Sequence, residues 1–508
     1  MMDALDTMAH AAIMPARTDT ANRLPSEALR LFEIGQDLVN ERRHAEAAHC
    51  FRGATGAAPA YALAHNGLGV ALHGMRRYEG AVEAFRRAVE LQPDLRIARR
   101  NLAMLLVELR RLDESLSLWR AELLSGREGL QWLNQLVTAS MRSRDLTRAG
   151  DYATVLAAVR RASPWYPRRT DDSTPMIPVQ TRKEFLTVPK LRHDADQLRY
   201  LQRRSVLGAE FSPVIDEYER LAERMARVDP NARIPLERDV QRSIGHVYNR
   251  IIHVRPTPRL RRALSDRWDP AAVERAYIGM APGVVVIDDF LTPEALDGVR
   301  QFCLESTVWF ANRYAHGRLG AFLHDGFNCP LLLQVAEELR TAFPQVIGNR
   351  YTLRQLWGFK NADNLPGDAT VHADFAAVNV NFWITPEEAN LDPASGGLVV
   401  YGVDAPAHWD FYTYNGRADI IKPFLVQQGA RSITIPYRQN RAIIFNSDLF
   451  HATAAVRFRP GYEDRRINVT MLYGDRSEDV HHRTASPEQA EVTRNAWRSA
   501  AFARARGS

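Results

Sequence analysis

Cysteine is scarce: Cys50, Cys303 and Cys329 are the three in 508 residues, far apart and with no close pair. Three cysteines are too few for a disulfide framework in so long a chain and none forms a close metal-binding pair, so a reduced, cytoplasmic setting is expected. No unbroken apolar run is long enough to cross a bilayer, so no membrane segment is expected. The opening Met1-Met2-Asp3-Ala4-Leu5-Asp6 carries early acids instead of a basic flank, and does not read as a secretory signal. Charge of one sign is also in short supply, with 66 Lys and Arg against 60 Asp and Glu. Basic residues such as Arg259, Arg261 and Arg262, or Arg494, Arg498, Arg504 and Arg506, are spread as on a solvated face. Nucleic acid is therefore not the expected partner. What remains is ordinary globular composition, and its length suggests roughly two to four domains.

What is present begins with a repeat. Gly35, Ala47, Phe51, Ala54 and Pro59 recur 34 residues on as Gly69, Ala81, Phe85, Ala88 and Pro93, and a faded third copy runs through Ala103, Ser115, Trp119, Glu122 and Arg127. The copy from Ala62 to Leu95 closely resembles a tetratricopeptide repeat, a helix-turn-helix unit whose small residues let paired helices approach. One unit cannot bury its own apolar face, and about three are needed. Residues 128–162, with Trp132, Leu133, Leu136 and Val137, are expected to form a degenerate fourth unit or a capping helix pair. The resemblance implies a concave surface for a peptide or protein partner, with a spacer or dimer contact as the alternative.

Two prolines and many polar residues between Ser163 and Thr174 suit a linker. Ser212-Pro213 reads as a serine cap with proline in the first turn of a helix that ends before Asp229-Pro230. Helical pieces over 237–251 and 270–277 complete an expected helical connector. From Val284 the rhythm changes to short β-branched runs, with strands expected over 284–288, 351–359, 378–385, 398–402, 431–437, 441–446 and 466–472, and helices over 293–305 and 330–342. Gly396-Gly397 signals a turn.

Within this β-rich part, Thr370-Val371-His372-Ala373-Asp374 places a histidine and a carboxylate two residues apart, on one side of an extended segment. His451 follows 77 residues after Asp374, at the end of a segment reading as a strand running into a short turn. Two histidines and one carboxylate can hold a divalent iron on one face and leave the other open. In Arg465-Arg466-Ile467-Asn468-Val469-Thr470, strand alternation puts Arg466, Asn468 and Thr470 on one face. An arginine there can grip a carboxylate through two parallel hydrogen bonds.

The set His372, Asp374, His451 and Arg466 resembles the signature of the Fe(II)/2-oxoglutarate-dependent dioxygenases, whose fold is a double-stranded β-helix, or jelly roll. Residues 282–294, Pro-Gly-Val-Val-Val-Ile-Asp-Asp-Phe-Leu-Thr-Pro-Glu, resemble the strand-then-helix entry of the prolyl-hydroxylase-like branch, so the likeness covers roughly residues 280 to 478. It implies iron on His372, Asp374 and His451, and the distal carboxylate of 2-oxoglutarate on Arg466, with Arg465 the adjacent alternative. Asn379 or Asn381 would contact the cosubstrate, or serve only as sheet surface. Asp374 speaks against the related halogenases, which have a small residue there.

The resemblance further implies that O2 and 2-oxoglutarate are consumed, giving succinate and carbon dioxide, while a substrate carbon is oxidised. Trp357, Trp383, Tyr401, His408, Trp409, Tyr412 and Tyr414 are substrate-side candidates, several on a loop over 406–423 where a lid would sit.

The expected architecture is multidomain: a tail (1–24), an all-α tetratricopeptide-repeat solenoid (25–162), a linker and helical connector (163–279), a jelly roll (280–480) and a second tail (481–508). The expected activity is hydroxylation of a protein or peptide side chain recruited with help of the repeats. The alternatives are oxidation of a small metabolite, with the repeats binding a partner protein, and a non-catalytic scaffold.

Overall fold

The computed structural model describes residues 24–124, 128–161, 184–279, 283–367 and 371–476. The expected tails and the linker over 163–174 lie outside these residues, apart from Leu24. Contacts divide the chain into two compact units, meeting in sequence at Arg160 and Arg161.

The first unit is built from helix pairs: α1 (Ser26–Asn40) with α2 (His44–Ala57), α3 (Ala62–Gly74) with α4 (Tyr78–Leu91), α5 (Arg96–Glu108) with α6 (Leu112–Leu124), and α7 (Glu128–Arg142) with α8 (Leu146–Arg160). The recurring glycine and phenylalanine explain each other. A Cβ on Gly69 would stand 2.5 Å from the Phe85 ring, and one on Gly35 2.8 Å from Phe51, so the helices of a pair approach closely only without a side chain there.

Within each pair the first helix ends on a left-handed residue, at Arg42, Arg76, Arg110 and Arg144, with φ of 62°, 58°, 62° and 64°. The following amide closes the end in the same way each time, Arg43 N donating to Leu38 O at 2.8 Å and Asp145 N to Ser140 O at 2.9 Å. The fourth pair therefore keeps the phase of the first.

The second unit opens with the connector: β1 (Phe185–Leu186) paired with β2 (Ile234–Pro235), then α9 (Val188–Arg203), α10 (Ser212–Val228), α11 (Arg238–Ile244) and α12 (Pro270–Gly279). Two expectations need correction. Ser212 does not cap α10; a 3-10 turn over Ala209–Phe211 precedes it, so Ser212 is already helical and its hydroxyl accepts from Gln202 Nε2 at 3.2 Å. The helix expected over 237–251 stops at Ile244; Gly245 is still right-handed, turns follow it, and the chain goes left-handed at Asn249, φ 56°.

The β-rich part contains β3 (Val284–Ile287), β4 (Leu319–Phe322), β5 (Leu353–Lys360), β6 (Asn364–Leu365), β7 (Val378–Trp383), β8 (Leu398–Asp404), β9 (Ser432–Ile435), β10 (Ala442–Asn446), β11 (Leu449–Thr453), β12 (Val456–Arg457) and β13 (Ile467–Tyr473). Six form one antiparallel sheet in the order β3-β10-β7-β13-β5-β4, three another in the order β11-β8-β9, and β12 pairs with β6. Trp383, Ile443 and Phe445 of the larger sheet share one buried cluster with Leu398, Val400, Ile435 and Leu449 of the smaller. The core thus lies between two facing sheets, and crossovers of this order make the fold a jelly roll.

Helices α13 (Pro293–Glu305), which Thr292 caps by accepting from Ala295 N at 3.2 Å, and α14 (Pro330–Ala342) have the expected bounds. The expected loop over 406–423 instead folds largely into α15 (Phe411–Gly416) and α16 (Ala418–Gln427). No helix among the described residues is long and apolar enough to cross a membrane.

Candidate metal centre and its cavity

His372 and His451 are brought together by backbone first. His372 N donates to His451 O at 3.0 Å and His451 N to His372 O at 2.8 Å, while Asp374 N donates to Ser447 O at 3.1 Å. His451 does not close the strand before it but lies inside β11, which starts after a turn in which Asp448 N donates to Asn446 Oδ1 at 3.1 Å. The β11–β8 register shifts between Leu449 and His451, an irregularity of the kind that re-aims a side chain at a functional edge.

The ligand-type atoms of His372, Asp374 and His451 lie within 4.8 Å of one another. His451 Nε2 stands 3.4 Å from Asp374 Oδ2, and His372 Nε2 3.7 Å from Asp374 Oδ1. On its far side His451 Nδ1 lies 3.0 Å from Leu449 O; a carbonyl only accepts, so that nitrogen carries the proton and Nε2 keeps a lone pair turned inward. Asn379 Nδ2 donates to Asp374 Oδ2 at 2.8 Å. Burial disfavours the charge on Asp374, yet the imidazoles and Asn379 outweigh it and hold the carboxyl below its ordinary range. Asp374 and His451 are buried while His372 is partly exposed, so the cluster is closed on one side and open on the other. Two imidazole nitrogens and a carboxylate oxygen in this arrangement fit a divalent first-row metal with open positions.

The open side faces a cavity of about 370 Å³. Asn381, Asn468 and Thr470 line it from the larger sheet, as do Phe322, Trp357 and Phe359, Arg318 lines it from just before β4, and Phe411 and Asn415 border it from α15. Asn381 Nδ2 donates to Thr470 Oγ1 at 3.0 Å. Asn379 thus reaches Asp374, and Asn381 the cavity wall.

Arg466, 1% exposed, lies just behind that wall. Its Nε donates to Gly396 O, its Nη2 to Gly397 O at 3.2 Å and its Nη1 to Asn468 Oδ1 at 3.0 Å. Its guanidinium stands 5.6 Å from the Trp383 ring centroid. Burial lowers its pKa to about 10. The neighbouring Arg465 points elsewhere, with Nη2 3.1 Å from Asp196 on α9.

Of the aromatic candidates, Trp357 lines the cavity and Trp383 supports Arg466. Trp409 and Tyr414 border a second cavity of about 680 Å³, with Trp409 against Phe424 and Phe450. Tyr401, His408 and Tyr412 line neither. Arg318, Tyr314, Phe322 and Phe411 are wall residues that no motif announces. Phe359 had a signal, being two residues from Trp357 on one strand face.

These features define the class: tetratricopeptide-type helix pairs followed by a jelly roll that carries an inward His-Asp-His cluster. The tetratricopeptide repeat family model matches residues 32–96. No curated protein matches the chain. Among solved structures the chain is similar to a Pseudomonas putida prolyl-4-hydroxylase, at 14% identity over 41% of this chain and 99% of that one, with a TM-score of 0.27. It is also similar to EctD from S. alaskensis with bound Fe (13% identity, 44% of this chain, 85% of that one, TM-score 0.29). A third is HygX from Streptomyces hygroscopicus with nickel and 2-oxoglutarate bound (12% identity, 38% and 83%, TM-score 0.25). The assignment of the fold rests on strand order and register.

Proposed function

We propose that the chain is an Fe(II)- and 2-oxoglutarate-dependent oxygenase. The observation that carries this is the convergence of His372, Asp374 and His451 within 4.8 Å at the edge of a cavity between the sheets. With iron held there, one O2 and one 2-oxoglutarate are converted to succinate and carbon dioxide, and the second oxygen atom enters a substrate C–H bond as a hydroxyl.

The chain's own residues bind and orient. Asp374 and the two imidazoles hold the metal, Leu449 O keeps the His451 proton on Nδ1, and Asn379 holds the Asp374 carboxylate in place. Arg466 has five N–H donors, three of them engaged, and offers the rest to the distal carboxylate of 2-oxoglutarate. Asn381 and Asn468 contribute amides at the wall between Arg466 and the metal. The Phe322, Trp357 and Phe359 side chains exclude water from the reacting carbon. A cytoplasmic location is part of the same proposal, on the scarcity of cysteine in the sequence.

The preferred substrate is a protein or peptide side chain brought by the repeats, whose family typically holds peptides. A second reading is favoured by the cavity volume, which falls in the range of small-molecule sites: a free metabolite is oxidised and the repeats hold a partner protein. A non-catalytic scaffold has no use for the buried Asp374 and its Asn379 support. Succinate release from the iron-loaded chain, measured with peptide pools and with metabolite pools, separates these readings. Peptide-dependent release supports the first, metabolite-dependent release the second, and release unchanged by His372→Ala overturns both.

A further inference from the structure

Immediately before β4, Arg318 occupies the cavity wall. Its Nε is buried without a hydrogen-bond partner, and among the described residues the side chain has no ion pair. Its guanidinium lies 5.0 Å from the Tyr314 ring centroid and 4.6 Å from that of Phe359. Stacking on aromatic faces fixes the plane of the group and leaves its N–H edge for a ligand. Arg466 differs, because three of its donors are already spent on Gly396, Gly397 and Asn468.

We propose that Arg318 is the anchor for a carboxylate on the substrate, so that the oxidised carbon belongs to an acid with an apolar body. That the bound acid is the substrate rests on the oxygenase reading; the anion site itself does not. Charge supports it. Asp374 is the only carboxylate among the residues lining the cavity, and a metal there would neutralise it. With a divalent ion, Arg318 and Arg466 present, Asp374 and the dianion of 2-oxoglutarate leave positive charge uncompensated, and a partly buried cation whose Nε has no hydrogen-bond partner gains from an incoming anion. Burial lowers the Arg318 pKa, but a guanidinium stays charged throughout the physiological range. Next to it, Phe322, Trp357 and Phe359 offer flat apolar surface for the rest of the molecule.

Two sources of that carboxylate are possible, a free small acid and an acidic side chain on a peptide. Binding of benzoate and hexanoate, against benzamide and hexanamide, is measured by isothermal titration on the full chain, with and without Fe(II) and 2-oxoglutarate under anaerobic conditions. A capped phenylalanine-glutamate dipeptide and its glutamine counterpart form the second arm. The wild type is expected to prefer acid over amide by at least about tenfold in one arm, and that arm names the source. Arg318→Gln should erase the preference and Arg318→Lys keep part of it, with 2-oxoglutarate affinity unchanged within about twofold.

Equal binding of acid and amide in both arms overturns the proposal. So does a loss of 2-oxoglutarate affinity in a folded Arg318→Gln that keeps the acid preference, since Arg318 would then hold the cosubstrate. If Fe(II) and 2-oxoglutarate fail to bind at all, the oxygenase reading falls, while the acid preference is still read on the metal-free chain.

Discussion

Asn379 spends its amide on Asp374 Oδ2, the same oxygen that faces His451. Partners of metal ligands set both their orientation and their basicity, and losing one typically costs about 10–100-fold in metal affinity. Asn379→Ala is therefore expected to weaken Fe(II) or Co(II) binding by about that factor while leaving the circular dichroism spectrum unchanged, as a metal titration would show. His372-x-Asp374 was legible because a spacing of two forces one side of an extended chain. Arg466 was legible because strand alternation puts it with Asn468 and Thr470. Arg318 was not, since nothing in Arg318-Leu319-Gly320-Ala321 marks a cavity wall; only the pairing of the following residues, Leu319 to Phe322, with β5 brings it there.

In the first unit Asp151 gives a separate test at the same scale. Burial pushes its pKa up to about 6, from 3.8, against the pull of Arg110 at 2.9 Å. The folded chain holds this proton where the unfolded chain has released it, so this carboxyl's contribution is full below about pH 4 and is lost as pH rises towards about 6. Chemical denaturation of wild type and Asp151→Asn across that window should show wild-type stability falling relative to the variant as pH rises. The opposite slope would mean that the Arg110 pair outweighs burial.

At the level of elements, the chain bends at Gly396-Gly397 to enter β8, and both carbonyls accept from Arg466. Gly396 has φ 76°, and a Cβ on Gly397 would lie 1.9 Å from Ile435 O, on the neighbouring β9. Gly397→Ala must part β8 from β9, at a cost of about 1–3 kcal/mol or more. Urea unfolding should show that loss, and 2-oxoglutarate should bind more weakly because the Arg466 acceptors move.

The turn itself was readable from the glycine pair, and most strands from alternation. β4 was not, because Gly320 and Ala321 have poor strand propensity and a four-residue edge strand gives too short a pattern. The helices α15 and α16 escaped because a long polar-aromatic stretch with Pro423 reads as loop. The fourth helix pair did carry a signal, an arginine at the left-handed position of every pair, but glycine or asparagine is what that position ordinarily advertises.

Across the whole molecule, one part of the chain repeats a helix pair and another closes two sheets over a core, and each kind of periodicity could be read locally. The convergence of residues 372 and 451 could not. It depends on β11 lying on β8 with a shifted register and on the backbone exchange between the two histidines. The claim that joins these observations is that the cluster holds Fe(II) with an open face for 2-oxoglutarate. Its most direct test is anaerobic addition of 2-oxoglutarate to the iron-loaded chain, followed by absorption spectroscopy for the weak visible band of a chelated 2-oxoglutarate on iron. A band in the wild type that is absent from folded His372→Ala is the predicted result; no band in the wild type, or an unchanged band in the variant, would contradict the account.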